Sequence, residues 1–184
     1  MFDVYDKIFW QARLGVLPNG FAEWDLMDVT GVTVVHTVVG HGHQLPADFD
    51  KWAMLDEHGR TVAHVAVTTN AIPPGYAGWE EQGVWRLRNL AGWTVAHFAA
   101  HHGALPADFD QWTLENRGVT VAHAAAEAGT LPPCFADWGI KDADGRTVAD
   151  VHREATAARI AEKRGAAYGV TALLAFTLIP FLFF

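Results

Sequence analysis

Cysteine is almost absent: the 184 residues include one, Cys134, so no intramolecular disulfide can staple the chain. Its setting, Leu-Pro-Pro-Cys-Phe, reads as packing. Basic residues are scarce too, 13 Lys and Arg against 21 Asp and Glu. Residues 1–150 hold nine of the former and nineteen of the latter, a balance of -10, whereas residues 151–184 come to +2. With no basic stripe and an acidic body, nucleic acid is excluded as a partner. The N-terminus has neither a basic start nor a long apolar run, so no secretory signal is expected and the body is expected to stay in the cytoplasm. There is no His-Glu-x-x-His, no Gly-x-Ser-x-Gly and no phosphate loop, so no cofactor or small-molecule substrate is indicated. Asp142-Ala-Asp144-Gly145 lacks the spacing and closing Glu of a calcium loop and reads as a turn.

What the chain has is apolar bulk, 51% hydrophobic residues with eight Trp and eleven Phe, enough to build a core. It also repeats itself. Thr-Val-x-His units begin at Thr33, Thr61, Thr94 and Thr120, with a Thr-Val-Ala-Asp variant at Thr147, at intervals of 28, 33, 26 and 27. Leu-Pro or Ile-Pro begins at Leu17, Leu45, Ile72, Leu105 and Leu131, and a tryptophan follows each at Trp24, Trp52, Trp79, Trp112 and Trp138. Three markers keep one register.

Each marker has a physical role. Thr caps free N–H groups at a helix start, and the small Ala residues after it allow neighbouring helices to approach closely. Gly closes that helix, and Pro suits the first position of a second, short helix that would carry Phe and Trp on one face. A brick of about 27 residues cannot bury its apolar face alone, so bricks must stack. Asp56-Glu-His-Gly-Arg-Thr-Val-Ala-His64 and Gly118-Val-Thr-Val-Ala-His-Ala-Ala-Ala126 resemble the turn and first helix of the ankyrin family, Asp-x-x-Gly-x-Thr-Pro-Leu-His-x-Ala-Ala. The resemblance covers about residues 3–152, with units of mostly 26–28 residues against the family's ~33 and Val after the Thr instead of Pro. It implies an all-α ankyrin-like solenoid of about five units, protein binding without catalysis, and a histidine at this position that fixes the turn by hydrogen bonds.

His36, His64, His97 and His123 occupy one repeat position, and stacked helices lie about 8–10 Å apart, too far for two of them to share a zinc ion at about 2.0–2.1 Å. His41, His43, His101 and His102 form local groups, the places where adventitious metal would bind. Asp48, Asp50, Asp108 and Asp110 flank Phe where the second helix would begin, and there they would complement its N-terminus.

The repeat lapses twice. The interval of 33 holds an insertion, 80–91, in which Trp85, Arg86 and Arg88 stand out. Insertions in repeat arrays project from one face and Trp and Arg are enriched at interfaces, so these three are the candidate partner-binding residues. After the last unit, a basic helical linker at 153–165 leads into an uncharged run at 166–184 containing Leu173, Leu174, Phe176, Leu178, Ile179, Phe181 and Leu182. As a helix the run would reach about 28 Å, close to a hydrocarbon core of about 30 Å, so a transmembrane anchor is expected with the repeats on the cytoplasmic side.

The expected function is that of a tail-anchored interaction module, an accessory or scaffolding subunit of an integral membrane complex. The alternative is a soluble inhibitor or immunity-type protein whose acidic repeat face covers a basic target. A third, a metal-dependent enzyme built on His41, His43, His101 and His102, ranks last.

Overall fold

A computed structural model of the chain describes residues 4–76 and 78–178, with side chains through Lys163. Helix α1 (Val4–Leu14) is followed by four short helices, α2 (Val34–Gly40), α3 (Val62–Thr69), α4 (Val95–His102) and α5 (Val121–Ala128), and by the long α6 (Val148–Leu178). Each helix packs on the next in chain order, giving a stack. The facing positions are small: Ala63, Ala66, Ala96, Ala99, Ala122 and Ala125 have no solvent exposure, and Val34, Val62, Val95, Val121 and Val148 fill the first turn of each layer. Removing such apolar surface from water is the main force holding layer to layer.

Helices of seven or eight residues are too short to persist alone, so their free N–H groups need partners. In α3 the Val62 and Ala63 amides donate to the Met54 and Trp52 carbonyls at 2.9 and 3.3 Å, and the His64 amide donates to Thr61 Oγ1 at 3.3 Å. The same three bonds recur at α2 through Leu26, Trp24 and Thr33 and at α5 through Leu114, Trp112 and Thr120. Helices α4 and α5 close on left-handed Gly103 (φ 67°) and Gly129 (φ 75°), and Asn70 (φ 56°) takes that place after α3.

That arrangement corrects the expected second helix. The segment from Leu-Pro to Trp makes a single turn, with the Phe49 amide on the Pro46 carbonyl and the Phe109 amide on the Pro106 carbonyl, and then runs on irregularly. The Trp and Met or Leu carbonyls are engaged by the next helix start, so they cannot sit inside a helix of their own.

The stack is also not all-α. The turn before each cap pairs across itself: β1 (Glu115–Asn116) with β2 (Val119–Thr120), and single bridges Met27–Thr33, Leu55–Thr61, Arg88–Thr94 and Lys141–Thr147. Buried aspartates organise these turns. Asp56 accepts from the His58 and Arg60 amides at 3.0 and 2.8 Å and from Arg60 Nε at 2.8 Å, and Asp142 repeats the pattern with Asp144 and Arg146. Turn tips join neighbouring layers, the Leu90 amide donating to the Gly59 carbonyl and Ala143 to Gly118.

The expected transmembrane anchor, and with it the membrane placement of the chain, is corrected as well. Among the described residues no helix is long and apolar enough to cross a membrane. Helix α6 is one piece that begins on the stack with buried Val148 and Val151 and passes Arg159 and Lys163 before its uncharged part. Leu173, Leu174, Phe176 and Leu178 fall on its backbone; Ile179, Phe181 and Leu182 lie outside the described residues.

Candidate partner-binding surface

The repeated histidines face inward. In α3, α4 and α5 the Thr hydroxyl donates to Nδ1 at 2.6–2.7 Å, while Nε2–H donates across the layer boundary. His64 reaches the Trp93 carbonyl at 3.1 Å, His97 that of Val119 at 2.9 Å, and His123 that of Arg146 at 3.0 Å. His36 makes the Thr33 bond at 2.6 Å, but its buried Nε2 has no partner. Burial lowers the pKa of His36 and His97 and brings that of His64 to about 4, so these rings are neutral; His64, His97 and His123 pin one layer to the next, whereas His36 holds only its own turn. They are used up by structure.

The local histidine groups are spoken for by backbone or by each other. His41 Nδ1–H donates to the Thr37 carbonyl and His43 Nε2–H to that of Arg13, each at 2.9 Å, and the His101 and His102 rings meet edge to face at 5.4 Å. Among the described residues no three His, Cys, Asp or Glu come together in a way that could hold a metal ion. Cys134 is exposed, not packed.

Tryptophan and phenylalanine build a continuous aromatic ladder. Phe21, Trp24, Phe49, Trp52, Trp79, Trp85, Phe109, Trp112, Phe135 and Trp138 follow one another with centroids 5.0–5.6 Å apart, nearly all edge to face. Such contacts add about 0.5–1.5 kcal/mol each beyond burial. Trp85, read from the sequence as a contact residue, is a rung of this ladder and only 3% exposed. The insertion makes a turn at Val84–Arg86 that pushes Trp85 between Trp79 and Phe109. Arg86 remains exposed. Arg88 is also exposed, but its guanidinium is tied to the Gly92 carbonyl and the Asn116 side chain.

What the ladder leaves outside is acidic. Glu23 and Asp25 flank Trp24, Asp48 and Asp50 flank Phe49, Glu80 and Glu81 follow Trp79, Asp108 and Asp110 flank Phe109, and Asp137 precedes Trp138; all nine are exposed. Lys51 is the lone cation within these five segments. Glu80 is tied to the next layer, accepting from Gln111 Nε2 at 2.7 Å; with no helix start to complement, the other eight make no side-chain hydrogen bond or ion pair among the described residues. At about 8–10 Å per layer they form a stripe roughly 30–40 Å long. The opposite edge offers an apolar patch of exposed turn residues, Met27, Val29, Leu55, Leu90 and Trp93, which ends before the fourth turn, where Glu115 and Arg117 take over.

No protein-family model and no curated protein matches the chain. Among 166 solved chains that resemble it is one from the structure of the predatory endopeptidase Bd0816 from Bdellovibrio bacteriovorus in complex with immunity protein Bd3460. The likeness covers 81% of this chain and 91% of that one at 22% identity with a TM-score of 0.50, which shows a shared fold and nothing finer. Folds so widely used do not specify function, which resides in the surface each chain presents.

Proposed function

We propose that the chain is a divergent ankyrin-like, non-catalytic binding module of the inhibitor or immunity type, whose carboxylate stripe covers a basic surface on a protein partner. The observation that carries this reading is the nine exposed carboxylates set beside a single lysine along the ladder, in every layer from Trp24 to Trp138. A rigid spine holds them at fixed spacing, so they can present a complementary potential without ordering cost. The immunity protein in the solved complex named above supports the same class of role. The tail-anchored scaffold is set aside along with its anchor.

The test is affinity capture with the intact chain and with a variant carrying Asp48→Asn, Asp50→Asn, Asp108→Asn and Asp110→Asn, followed by reconstitution of the captured pair from purified proteins. A basic partner held by the intact chain and released by the variant, and whose own activity falls in proportion to the bound fraction, is the expected outcome. A partner held equally by both chains would refute the proposal.

A further inference from the structure

Between the first two Leu-Pro segments the stack opens into a cleft of about 680 Å³. The same position between the last two segments, lined by Leu105, Pro106, Thr130 and Pro132, holds about 60 Å³. In the small groove the Thr130 hydroxyl donates to the Ala100 carbonyl; at the large one the bridge between layers is the His43 ring on the Arg13 carbonyl. The large cleft is within the ~300–1,000 Å³ range of sites that enclose a ligand group. Its apolar lining includes Leu17, Pro18 and the partly buried ring of Phe21, and its charged lining is Asp48, Asp50 and Lys51. Among the described residues neither carboxylate is in an ion pair, with Lys51 or any other cation.

We infer that this cleft receives an arginine side chain of the basic partner. The inference rests on the proposed function and deepens it by naming where the partner anchors. The guanidinium is planar, accepts a carboxylate side-on through two N–H donors, stacks on an aromatic face, and sheds water more readily than an ammonium. A cleft with an available phenylalanine ring, aliphatic walls for the methylene stem, and two free carboxylates meets each of those properties. Lys51 offsets one carboxylate and leaves a net negative lining. Elsewhere along the stripe the carboxylates lie on open surface, so they attract cations without enclosing them. The cleft is therefore where general attraction becomes a specific contact.

The experiment is an amide and indole NMR titration of the full chain with Nα-acetyl-L-arginine amide, with its neutral citrulline counterpart, and with Nα-acetyl-L-lysine amide. Saturable shifts of the Trp24 indole and the Gly15 and Gly20 amides are expected with the arginine probe alone. Asp48→Asn with Asp50→Asn should weaken that response by at least about tenfold, while Asp108→Asn with Asp110→Asn should not change it. Both pairs are exposed, and the spectra themselves report that the fold is kept. An equal response to citrulline or lysine amide, no saturable shift, or shifts indifferent to the Asp48 and Asp50 change would overturn the inference. If arginine fails here while the partner still depends on the stripe, the cleft is wrong and the proposed function stands. If arginine binds here but the partner ignores the stripe, the proposed function fails and the cleft remains a site.

Discussion

Each buried histidine does its work because one ring nitrogen is protonated and the other is not. In His64, His97 and His123 Nδ1 accepts from threonine and Nε2 donates to the next layer, which only the neutral Nε2–H form can do, while His36 makes only the threonine bond. Thr94→Val keeps the shape but removes both the helix cap and the donor to His97, so a loss of about 1–2 kcal/mol is expected in chemical denaturation. The neutral form also sets a pH dependence. Above about pH 6.5 the unfolded and folded chains both hold neutral histidine. Below it the unfolded chain takes up protons while His64, at about 4, does not, so stability is lost as pH falls from about 6.5 to about 4. His36 and His97, lowered by burial, add to the loss. His64 alone should contribute about 1.4 kcal/mol per pH unit in that window; a stability profile flat from pH 7 to 4.5 would contradict the pin role. Acid at Asp56 acts later. Burial raises its pKa, but hydrogen bonds from the Arg60 amide and side chain and the ion pair with Arg60 more than offset this, so its contribution is lost below the ordinary carboxylate range.

At the scale of elements, the segment from Leu-Pro to Trp acts as a frame. It gives its carbonyls to the next helix and its aromatic rings to the ladder, leaving its carboxylates outside with Lys51 as the lone cation among them. Trp85 shows what the insertion contributes: one extra rung where the repeat interval in sequence lengthens to 33 residues. Trp85→Ala should cost about 3–5 kcal/mol in unfolding free energy, and Arg86→Ala should stay within about 0.5 kcal/mol; comparable values for the two would mean that Trp85 does not bridge Trp79 and Phe109. The threonine caps, the alanine contact faces and the histidine register were legible in sequence because they obey local rules and recur. The missing second helix was not, since Pro-Ala-Asp-Phe-Asp-Lys-Trp has a sound helical start and only the competing demand of the Val62 and Ala63 amides undoes it. Nor was the inward turn of Trp85, because a tryptophan in an insertion has no repeat partner to reveal its side.

Across the whole molecule, charge and shape separate. The layers are joined by apolar contacts and by hydrogen bonds between neutral groups, with Arg88 on Asn116, Gln111 on Glu80 and Arg159 on the Glu127 carbonyl as charged links, while most of the acidic excess lies on the outside, where it costs little and is available to a partner. That segregation was half visible beforehand: the -10 balance of residues 1–150 announced an acidic body, but only the ladder places nine of those charges in a line. The tail misled for a related reason. A hydropathy rule takes residues 166–184 by themselves, whereas α6 (Val148–Leu178) is one helix that begins on the stack and carries Arg159 and Lys163 up to that run, and no described helix is long and apolar enough to cross a membrane. The most direct measurement of the carboxylate stripe is the association rate constant of the chain with its reconstituted partner as ionic strength rises, for the intact protein and for the four-carboxylate variant. The expected result is a rate for the intact chain that falls by about tenfold or more between low salt and about 0.3 M, and a slower, nearly salt-independent rate for the variant. Equal rates for the two, unchanged by salt, would contradict it.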